Sequence, residues 1–427
     1  MSMAKAWVED LWHKKNGKPT EYCRRHKGAK RYRSAAHGAG AQWQVRGYDD
    51  QGDALPKENW ESYDEAENRA RELTTDVISG RLRQQQRGEI TLTAYYETVW
   101  WPNAEILPGT RERTEQRVKS CILPYLGEKR LLDIGTEELN AWKLALRKQV
   151  ASGTVRTAWQ NLSKILQAAY EANRIPLNPC RGLDSARPPK RPPTNKEAWG
   201  PSVFRDVRVA LHPRYRALAD LGVAAGLRPG EAFAWSPDDL RDGWLYVDRQ
   251  LQSIGARHWF KLPKRDKTRR LPVPTKLEEA LLAHMEEFPS VEVTLPWVDA
   301  SEPTMAWEQR PQVTVRLLTT TAYGNPITSN IFRTDNWNPA LEEAGLVKRL
   351  YRADGTPRDA WNGTEPFTFH ALRHTYASVQ LGAGETPVTV AEYMGDTVET
   401  VLETYAHFIP DVGGRGLEAM GNFMTVA

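Results

Sequence analysis

The residues best suited to chemistry lie in three stretches of the C-terminal half of the chain. The stretch "GLRPGE" carries Arg228, "FTFHALRHTYASVQLGAG" carries His370 and Arg373, and "YMGDTVETVLETYAHF" carries Tyr405. A guanidinium group donates two hydrogen bonds to phosphate oxygens and keeps its charge at physiological pH, so two arginines can stabilise a pentacoordinate phosphorus. Together with a histidine and a tyrosine hydroxyl, these residue types suit phosphoryl transfer that uses no metal.

Each of these residues also has a purely structural interpretation. Arg228 could form an internal ion pair with Glu231 or Asp239, and Tyr405 could be a packing side chain. The segment around His370 could be a helix whose polar residues pair at the surface. The chemical interpretation is favoured because all of these residue types occur together in one chain.

A metal site is not expected. His370 and His374 are one helical turn apart, a spacing that binds zinc in some helices, but Ala371 stands where that motif needs a glutamate. Cys23 and His26 form one metal-like pair with no second pair at finger spacing. The sequence therefore predicts neither a metal nor another cofactor.

The second stretch predicts a helix that begins after Thr368 and ends at the glycines Gly382 and Gly384. His370 and Arg373 are three residues apart and therefore share a face of that helix.

In order and spacing, the three stretches resemble the active-site boxes of the tyrosine recombinase (phage integrase) family. "GLRPGE" is similar to the first box, "HALRHTYAS" to the second and "MGDTVETVLETYAH" to the last. The resemblance implies that Arg228 and Arg373 hold the scissile phosphate and that His370 assists proton transfer. It further implies that Tyr405 is the nucleophile and forms a 3′-phosphotyrosine.

The resemblance also implies a catalytic lysine in a β-hairpin between the first two boxes. The stretch "LPKRDKTRRLPVP" offers Lys264 as the first choice and Lys267 as the second. This lysine would protonate the departing 5′ oxygen.

Asp396 is a departure from the family pattern, nine positions before Tyr405, where histidine or tryptophan is expected. A carboxylate would repel a phosphodiester, so Asp396 should either turn away or orient a neighbouring cation. Its place before an acidic first turn favours a capping role for the nucleophile's helix, with Thr397 as the alternative cap.

The resemblance implies a site-specific DNA recombinase, an integrase for a phage or mobile element, with excision left open. Its expected partners are double-stranded DNA attachment sites and further copies of itself in a tetramer. A host DNA-bending protein and an excisionase are additional candidates. Two alternatives stay open: a type IB topoisomerase-like or resolvase enzyme with the same covalent chemistry, and a non-catalytic DNA-binding regulator.

The hydrophobic periodicity predicts a multidomain α+β protein. Alternating residues at 43–60 and a helical pattern at 62–84 indicate a three-strand-plus-helix module at 1–88, which looks like the arm-site-binding domain of actinobacterial phage integrases. Four helical patterns indicate a core-binding bundle at 89–183. A basic, proline-rich linker at 184–198 leads into a mixed catalytic domain at 199–427, with strands in "GWLYVDRQLQ" and "RRLPVPTK".

Basic residues cluster in three places outside the three boxes. They are Arg24, Arg25, Lys27, Lys30, Arg31 and Arg33 in "CRRHKGAKRYR", Lys190 and Arg191 in "RPPKRPP", and the run "KLPKRDKTRR". Taken alone, such a run is as well explained by a solvated surface, but their repetition favours contacts with DNA phosphates.

The composition fits a protein that works inside the cell. The 427 residues carry a net charge of +4, with 40% hydrophobic and 26% charged residues. No apolar run approaches the roughly 18 residues that a membrane span needs. The N-terminus does not resemble a secretory signal, and three scattered cysteines do not suggest a disulfide framework. We expect a cytoplasmic location in a bacterial host, at the nucleoid when active.

Overall fold

The structure is a computed structural model that describes residues 5–14, 32–49, 52–79, 87–181, 187–189, 198–410 and 420. The chain divides into two compact units. One comprises residues 1–104 with 113–192, and the other comprises residues 105–112 with 193–427.

The first unit begins with a small sheet covered by one helix. Its strands are β1 (Lys5–Asp10), β2 (His13–Lys14), β3 (Tyr32–Arg33), β4 (Trp43–Tyr48) and β5 (Glu58–Trp60), followed by helix α1 (Tyr63–Ile78). Strands β1, β4 and β5 form an antiparallel sheet, and β2 pairs with β3 separately. Buried Ala6 and Val45 pack under Ala66, Ala70 and Leu73 of α1. The expected three strands and a helix are confirmed.

The rest of the first unit is helical, as the sequence predicts. Its helices are α2 (Leu92–Tyr95, continued as a π-helix at Tyr96–Trp100), α3 (Pro108–Cys121, of which residues 113–121 belong to this unit), α4 (Leu123–Leu126), α5 (Thr136–Arg147) and α6 (Ser152–Glu171). Trp142 and Trp159 stack at the centre with ring centroids 5.9 Å apart. The Trp142 indole N–H donates to the Cys121 carbonyl at 2.7 Å, which satisfies its polar group inside the core.

The second unit is a mixed domain. Its helices are α7 (Pro201–Ala210), α8 (Pro213–Ala224), α9 (Pro229–Phe233), α10 (Thr275–Glu287), α11 (Ser329–Ile331, continued as a π-helix at Phe332–Trp337), α12 (Asn338–Glu343), α13 (Phe369–Gly382), α14 (Pro387–Met394) and α15 (Val398–Tyr405). Its strands are β6 (Leu240–Arg241), β7 (Trp244–Val247), β8 (Gln250–Ile254), β9 (Arg257–Lys261), β10 (Arg269–Pro272), β11 (Val291–Pro296), β12 (Gln312–Leu317), β13 (Lys348–Tyr351) and β14 (Pro357–Asn362).

The strands of the second unit form small antiparallel sheets. Strand β7 lies between β10 and β6, while β8 pairs with β9, β11 with β12 and β13 with β14. Strands β7, β8 and β10 fall in the two stretches that the sequence predicts as strands. The hairpins β11–β12 and β13–β14 were not predicted.

Three consecutive helices carry the second and third boxes. Helix α13 follows Thr368, as predicted, and α14 ends at Gly395, whose φ of 63° is left-handed and suits glycine. Helix α15 starts after Thr397, whose hydroxyl accepts a hydrogen bond from the Thr400 N–H. The helices pack through a shared core that includes Leu381 and Val401.

Among the described residues, no helix is both long and apolar enough to cross a membrane. The same residues contain no group of three or more His, Cys, Asp or Glu side chains that could hold a metal ion.

Candidate active site

Two arginines from distant parts of the chain converge on one carboxylate. Arg373, on α13, is 1% exposed, and Arg228 lies immediately before α9. An Arg228 Nη donates to Asp396 Oδ1 at 2.8 Å, and an Arg373 Nη donates to the other carboxylate oxygen. Arg373 also donates to the Gly226 carbonyl at 2.6 Å and to the Met394 carbonyl at 2.7 Å. The two guanidinium groups are therefore held in place by backbone as well as by charge.

A buried ion-pair network supports the arginines from behind. Glu231 is 2% exposed and accepts from the backbone N–H and the side chain of Arg228, both at 2.9 Å. Its oxygens also accept two hydrogen bonds from Arg269, at 2.7 and 3.1 Å. Arg269 in turn donates to the Tyr393 carbonyl at 2.7 Å, which ties β10 to α14. The ion pair of Arg228 with Glu231, one of the structural interpretations above, is thus present, whereas Asp239 pairs with Arg249 instead.

The charges of this cluster set its protonation states. Burial opposes ionisation of Glu231, but the positive charges of Arg269 and Arg228 outweigh it and lower the pKa of Glu231 to about 2. Burial likewise opposes ionisation of Asp396, and the charges of Arg373 and Arg228 hold its pKa below the ordinary value. Burial and the neighbouring Arg228 lower the pKa of Arg373 to about 10, so Arg373 stays charged at neutral pH. The cluster contains charged arginines and ionised carboxylates.

Tyr405 lies beside this cluster, at the last residue of α15. It is 4% exposed, and its hydroxyl is hydrogen-bonded to Nδ1 of His374. Burial raises the pKa of Tyr405 to about 12, although the positive charges of Arg373 and Arg228 act in the opposite direction. The hydroxyl is therefore protonated at neutral pH and can attack only if its proton is removed during the reaction.

His370 occupies a different environment from His374. His370 is exposed, and its ring lies edge to face against the His374 ring with centroids 4.7 Å apart. His370 lies on α13 one helical turn before His374, the residue that contacts Tyr405.

Two known proteins are similar to this chain in sequence. No family model matches it. It is 23% identical over 290 residues to a tyrosine recombinase XerC-like protein of Caldanaerobacter subterraneus, a match that covers 64% of this chain. The match spans 66% of that relative, just under two thirds of its length. A second match, 22% identical over 339 residues, is to the Escherichia coli K12 protein IntQ, described as defective, and covers 71% of this chain and 75% of the relative.

Solved integrase structures share the fold. The Tn1549 transposon integrase in complex with transposon right-end DNA matches with a TM-score of 0.59 at 16% identity, over 79% of this chain and 100% of that chain. A lambda integrase tetramer bound to a Holliday junction matches with a TM-score of 0.52 at 16% identity, over 87% of this chain and 93% of that chain. The chain therefore has the fold of these integrases and is similar in sequence to a tyrosine recombinase XerC-like protein and to IntQ.

The expected position of the catalytic lysine needs a correction. Lys264 and Lys267 lie in the connection between β9 and β10, which pair with β8 and β7 respectively, so this connection is not a β-hairpin turn. Both lysines are exposed. The residue of this loop whose charge acts on the cluster is Arg265, which helps to lower the pKa of Asp396.

The capping role expected for Asp396 is wrong. The alternative residue, Thr397, caps α15, while the Asp396 carboxylate binds Arg228 and Arg373. Two cations in a largely buried place attract a carboxylate more strongly than a helix terminus does, because a full charge exceeds the partial charge of the helix dipole. Of the two alternatives, Asp396 thus fits the one in which it contacts neighbouring cations, but these cations are Arg228 and Arg373 rather than Lys264 or His370.

The site also contains residues that the sequence did not indicate. Arg269 was not singled out because its partners are 38 and 124 residues away, outside any local pattern. His374 was considered only as a metal ligand, and its adjacency to Arg373 was the one available signal.

Most of the predicted DNA-binding residues lie outside the described residues. These are Arg24, Arg25, Lys27, Lys30, Arg31, Lys190 and Arg191. Arg33 is described and lies in β3, paired with His13 of β2.

Proposed function

We propose that this recombinase cuts and rejoins DNA at specific sites through a 3′-phosphotyrosine on Tyr405. The observation that carries the proposal is the convergence of Arg228 and Arg373 on a single carboxylate beside the Tyr405 hydroxyl. Two forked cations that already share one anion are suited to share a phosphate.

Phosphate binding would exchange one anion for another. The guanidinium groups of Arg228 and Arg373 now donate to Asp396, so a scissile phosphate has to displace this carboxylate in order to reach both. Glu231 keeps Arg228 in place during the exchange, because it contacts the backbone N–H as well as the side chain. The arginines then oppose the negative charge that builds on the phosphoryl oxygens in the transition state.

The reaction is a transesterification. The Tyr405 oxygen forms a bond to phosphorus as the bond to the 5′ oxygen breaks, and the departing oxygen takes a proton, a role we assign to Lys264, with Lys267 as the second choice. His370 contributes a phosphate contact from the exposed edge of α13. Because the phosphotyrosine conserves a phosphodiester, a second 5′ hydroxyl can reverse the step and reseal the DNA without ATP.

The organisation of the protein supports a role on long DNA sites. We assign residues 1–88 to arm-site binding, 89–183 to core binding, 184–198 to a linker and 199–427 to catalysis. The lambda integrase neighbour forms a tetramer on a Holliday junction, and we assign the same assembly on paired attachment sites to this chain. Integration of a phage or mobile element is the biological role, with a host DNA-bending protein and an excisionase as accessory partners.

Covalent trapping tests the proposal. Incubation with suicide duplexes that carry candidate attachment sites should give a protein–DNA adduct that resists denaturation and persists in EDTA. Tyr405→Phe should bind the same duplex and give no adduct, because only the hydroxyl that becomes the ester is lost. Tyr215→Phe is the matched control, since it removes a half-buried tyrosine hydroxyl on α8, away from the site.

The same assay separates the alternatives. A regulator would bind DNA and give no adduct with the unaltered protein. A topoisomerase-like enzyme would give the adduct and also relax supercoiled plasmids that lack paired attachment sites. Trapping by Tyr405→Phe would exclude Tyr405 as the nucleophile.

A further inference from the structure

His374 is the side chain that contacts the attacking oxygen. Its Nδ1 is hydrogen-bonded to the Tyr405 hydroxyl, and the two ring centroids lie 5.6 Å apart. Helix α13 fixes the position of His374 next to Arg373, and α15 delivers Tyr405 at its last residue. The two partners are 31 residues apart in sequence and are brought together by the packing of α13 against α15.

The reaction requires a proton acceptor at this point. The Tyr405 hydroxyl is buried and protonated at neutral pH, so the proton must leave as the oxygen attacks. A general base has to lie within hydrogen-bond reach of the proton that it removes. His374 meets this condition in the structure, while His370 is exposed and lies edge to face against the His374 ring.

We infer that His374, rather than His370, accepts the Tyr405 proton in the cleavage step, an inference that rests on the proposed recombinase function. The Tyr405 oxygen bonds to phosphorus, its proton moves to Nδ1 of His374, and the phosphorus bond to the 5′ oxygen breaks as Lys264 protonates that oxygen. The neutral His374 ring must carry its hydrogen on Nε2, so that Nδ1 can accept. In the reverse step, His374 returns the proton to Tyr405.

The charges around His374 suit this role. The titratable and charged groups on the elements packed around the His374–Tyr405 pair include His370 and Arg373 on α13, Asp220 on α8, Arg228 before α9, Glu392 and Tyr393 on α14, Asp396 before α15, Glu399, Glu403 and Tyr405 on α15, and His407 in the following turn. A bound phosphate brings the negative charge that stabilises the imidazolium formed during attack.

The first test is the pH dependence of single-turnover cleavage. His374→Asn places an amide oxygen near the position of Nδ1, where it can accept a hydrogen bond but cannot take up a proton. We expect this variant to bind the suicide duplex normally and to cleave it at least ~100-fold more slowly. It should also lose the fall in rate that the unaltered protein shows as pH drops through the histidine range, roughly pH 7 to 5. Cleavage within about threefold of the unaltered protein would overturn the inference.

A sulfur-substituted substrate distinguishes the base from the acid. When the 5′-bridging oxygen is replaced by sulfur, the leaving thiolate needs no proton, so cleavage by Lys264→Ala should be restored. Cleavage by His374→Asn should stay slow, because this variant is impaired in removing the proton from Tyr405 and not in protonating the leaving group. Restoration of His374→Asn by sulfur would assign His374 to leaving-group protonation and overturn the inference.

A third measurement does not depend on the folding of a His374 variant. His370→Asn should lower the rate through its phosphate contact yet retain the loss of rate at low pH. Disappearance of that loss in His370→Asn would make His370 the base. If the unaltered protein forms no adduct at all, the recombinase proposal itself fails. If the adduct forms and His374→Asn behaves normally, only the assignment of His374 fails.

Discussion

Asp396 decides the charge state of the site before DNA arrives. Its carboxylate binds the side chains of Arg228 and Arg373, the second of which is 1% exposed. Without an anion at this position, two guanidinium groups would face each other in a poorly hydrated place, which costs free energy. The family pattern has a neutral or weakly basic side chain here, so this chain supplies internally an anion that the substrate must later replace.

Replacing Asp396 by asparagine should therefore separate stability from DNA binding. We expect Asp396→Asn to lower the free energy of unfolding by about 1–3 kcal/mol, because one charged hydrogen bond to each arginine is weakened. The variant should bind DNA up to about tenfold more tightly, since a negative charge near the phosphate is removed. Cleavage should be retained. Chemical denaturation and equilibrium binding at fixed salt measure the two effects.

The pH dependence provides an internal check on Asp396. Its pKa is lowered in the folded protein, so its ion pairs contribute stability above the unfolded pKa of about 4, and this contribution is lost as pH falls further. The stability difference between the unaltered protein and Asp396→Asn should accordingly shrink below that pH. Asp238→Asn is the control, because Asp238 pairs with Arg316 on the surface and should contribute less than about 1 kcal/mol. Weaker DNA binding by Asp396→Asn would contradict the exchange of anions.

At the level of elements, the turn between α8 and α9 holds Arg373 through its backbone. The Gly226 carbonyl accepts a hydrogen bond from Arg373 at 2.6 Å. Gly226 itself has a φ of 62°, in the left-handed region. A Cβ at this position would lie 2.6 Å from a ring carbon of Tyr376, which is buried on α13. Glycine is thus required for conformation and for space, and the carbonyl that orients Arg373 depends on both.

Gly226→Ala should damage stability and cleavage together. The strain of a left-handed alanine costs about 1 kcal/mol, and the contact with Tyr376 adds to it, so we expect a total loss of at least about 2 kcal/mol. Gly243→Ala isolates the strain, because its φ is 73° and nothing lies within 4 Å of an added Cβ. Chemical denaturation should show a loss of only about 1 kcal/mol in Gly243→Ala, and adduct formation by this variant should be near normal. Equal losses in both would show that the Tyr376 contact is unimportant.

The elements also show what local sequence can and cannot predict. Helix α13 and its start at Thr368 were predictable, because periodicity and capping act within a few residues. The ion-pair network of Glu231 and Arg269 could not be predicted, because Arg269 lies on β10 and its partners lie on α9 and α14. The contact of His374 with Tyr405 could not be predicted either. Local sequence places His374 on a helix, but the packing of α13 against α15 brings it to Tyr405. The resemblance supplied the reacting residues, and only the structure supplied the contacts among them.

At the scale of the molecule, the N-terminal module has a hydrophobic core of its own. Val45 and Leu73 belong to this small core, whereas the bundle is built around a separate cluster that includes Trp142 and Trp159. The end of the segment assigned to the module already contacts the bundle, because Arg174 donates to the carbonyl of Arg87 at 3.1 Å. A truncation that spares the bundle should therefore end at residue 79 rather than at residue 88.

Removal of residues 1–79 should leave cleavage of a short core duplex unchanged and impair recombination on long attachment DNA. The physical reason is that each phosphate contact raises the affinity for DNA and steepens its dependence on salt. The logarithm of the binding constant falls with the logarithm of the salt concentration by about 0.9 per phosphate contacted. On long DNA, the truncated protein should lose affinity and show a shallower slope, whereas both proteins should behave alike on the short duplex.

Full-length protein with Arg24, Arg25 and Lys27 changed to glutamine is the matched control, since it keeps the module and removes three charges. If the glutamine variant shows the salt slope of the unaltered protein on long DNA, these residues do not contact phosphates. Equal recombination on long DNA by truncated and full-length protein would contradict a DNA-binding role for the whole module.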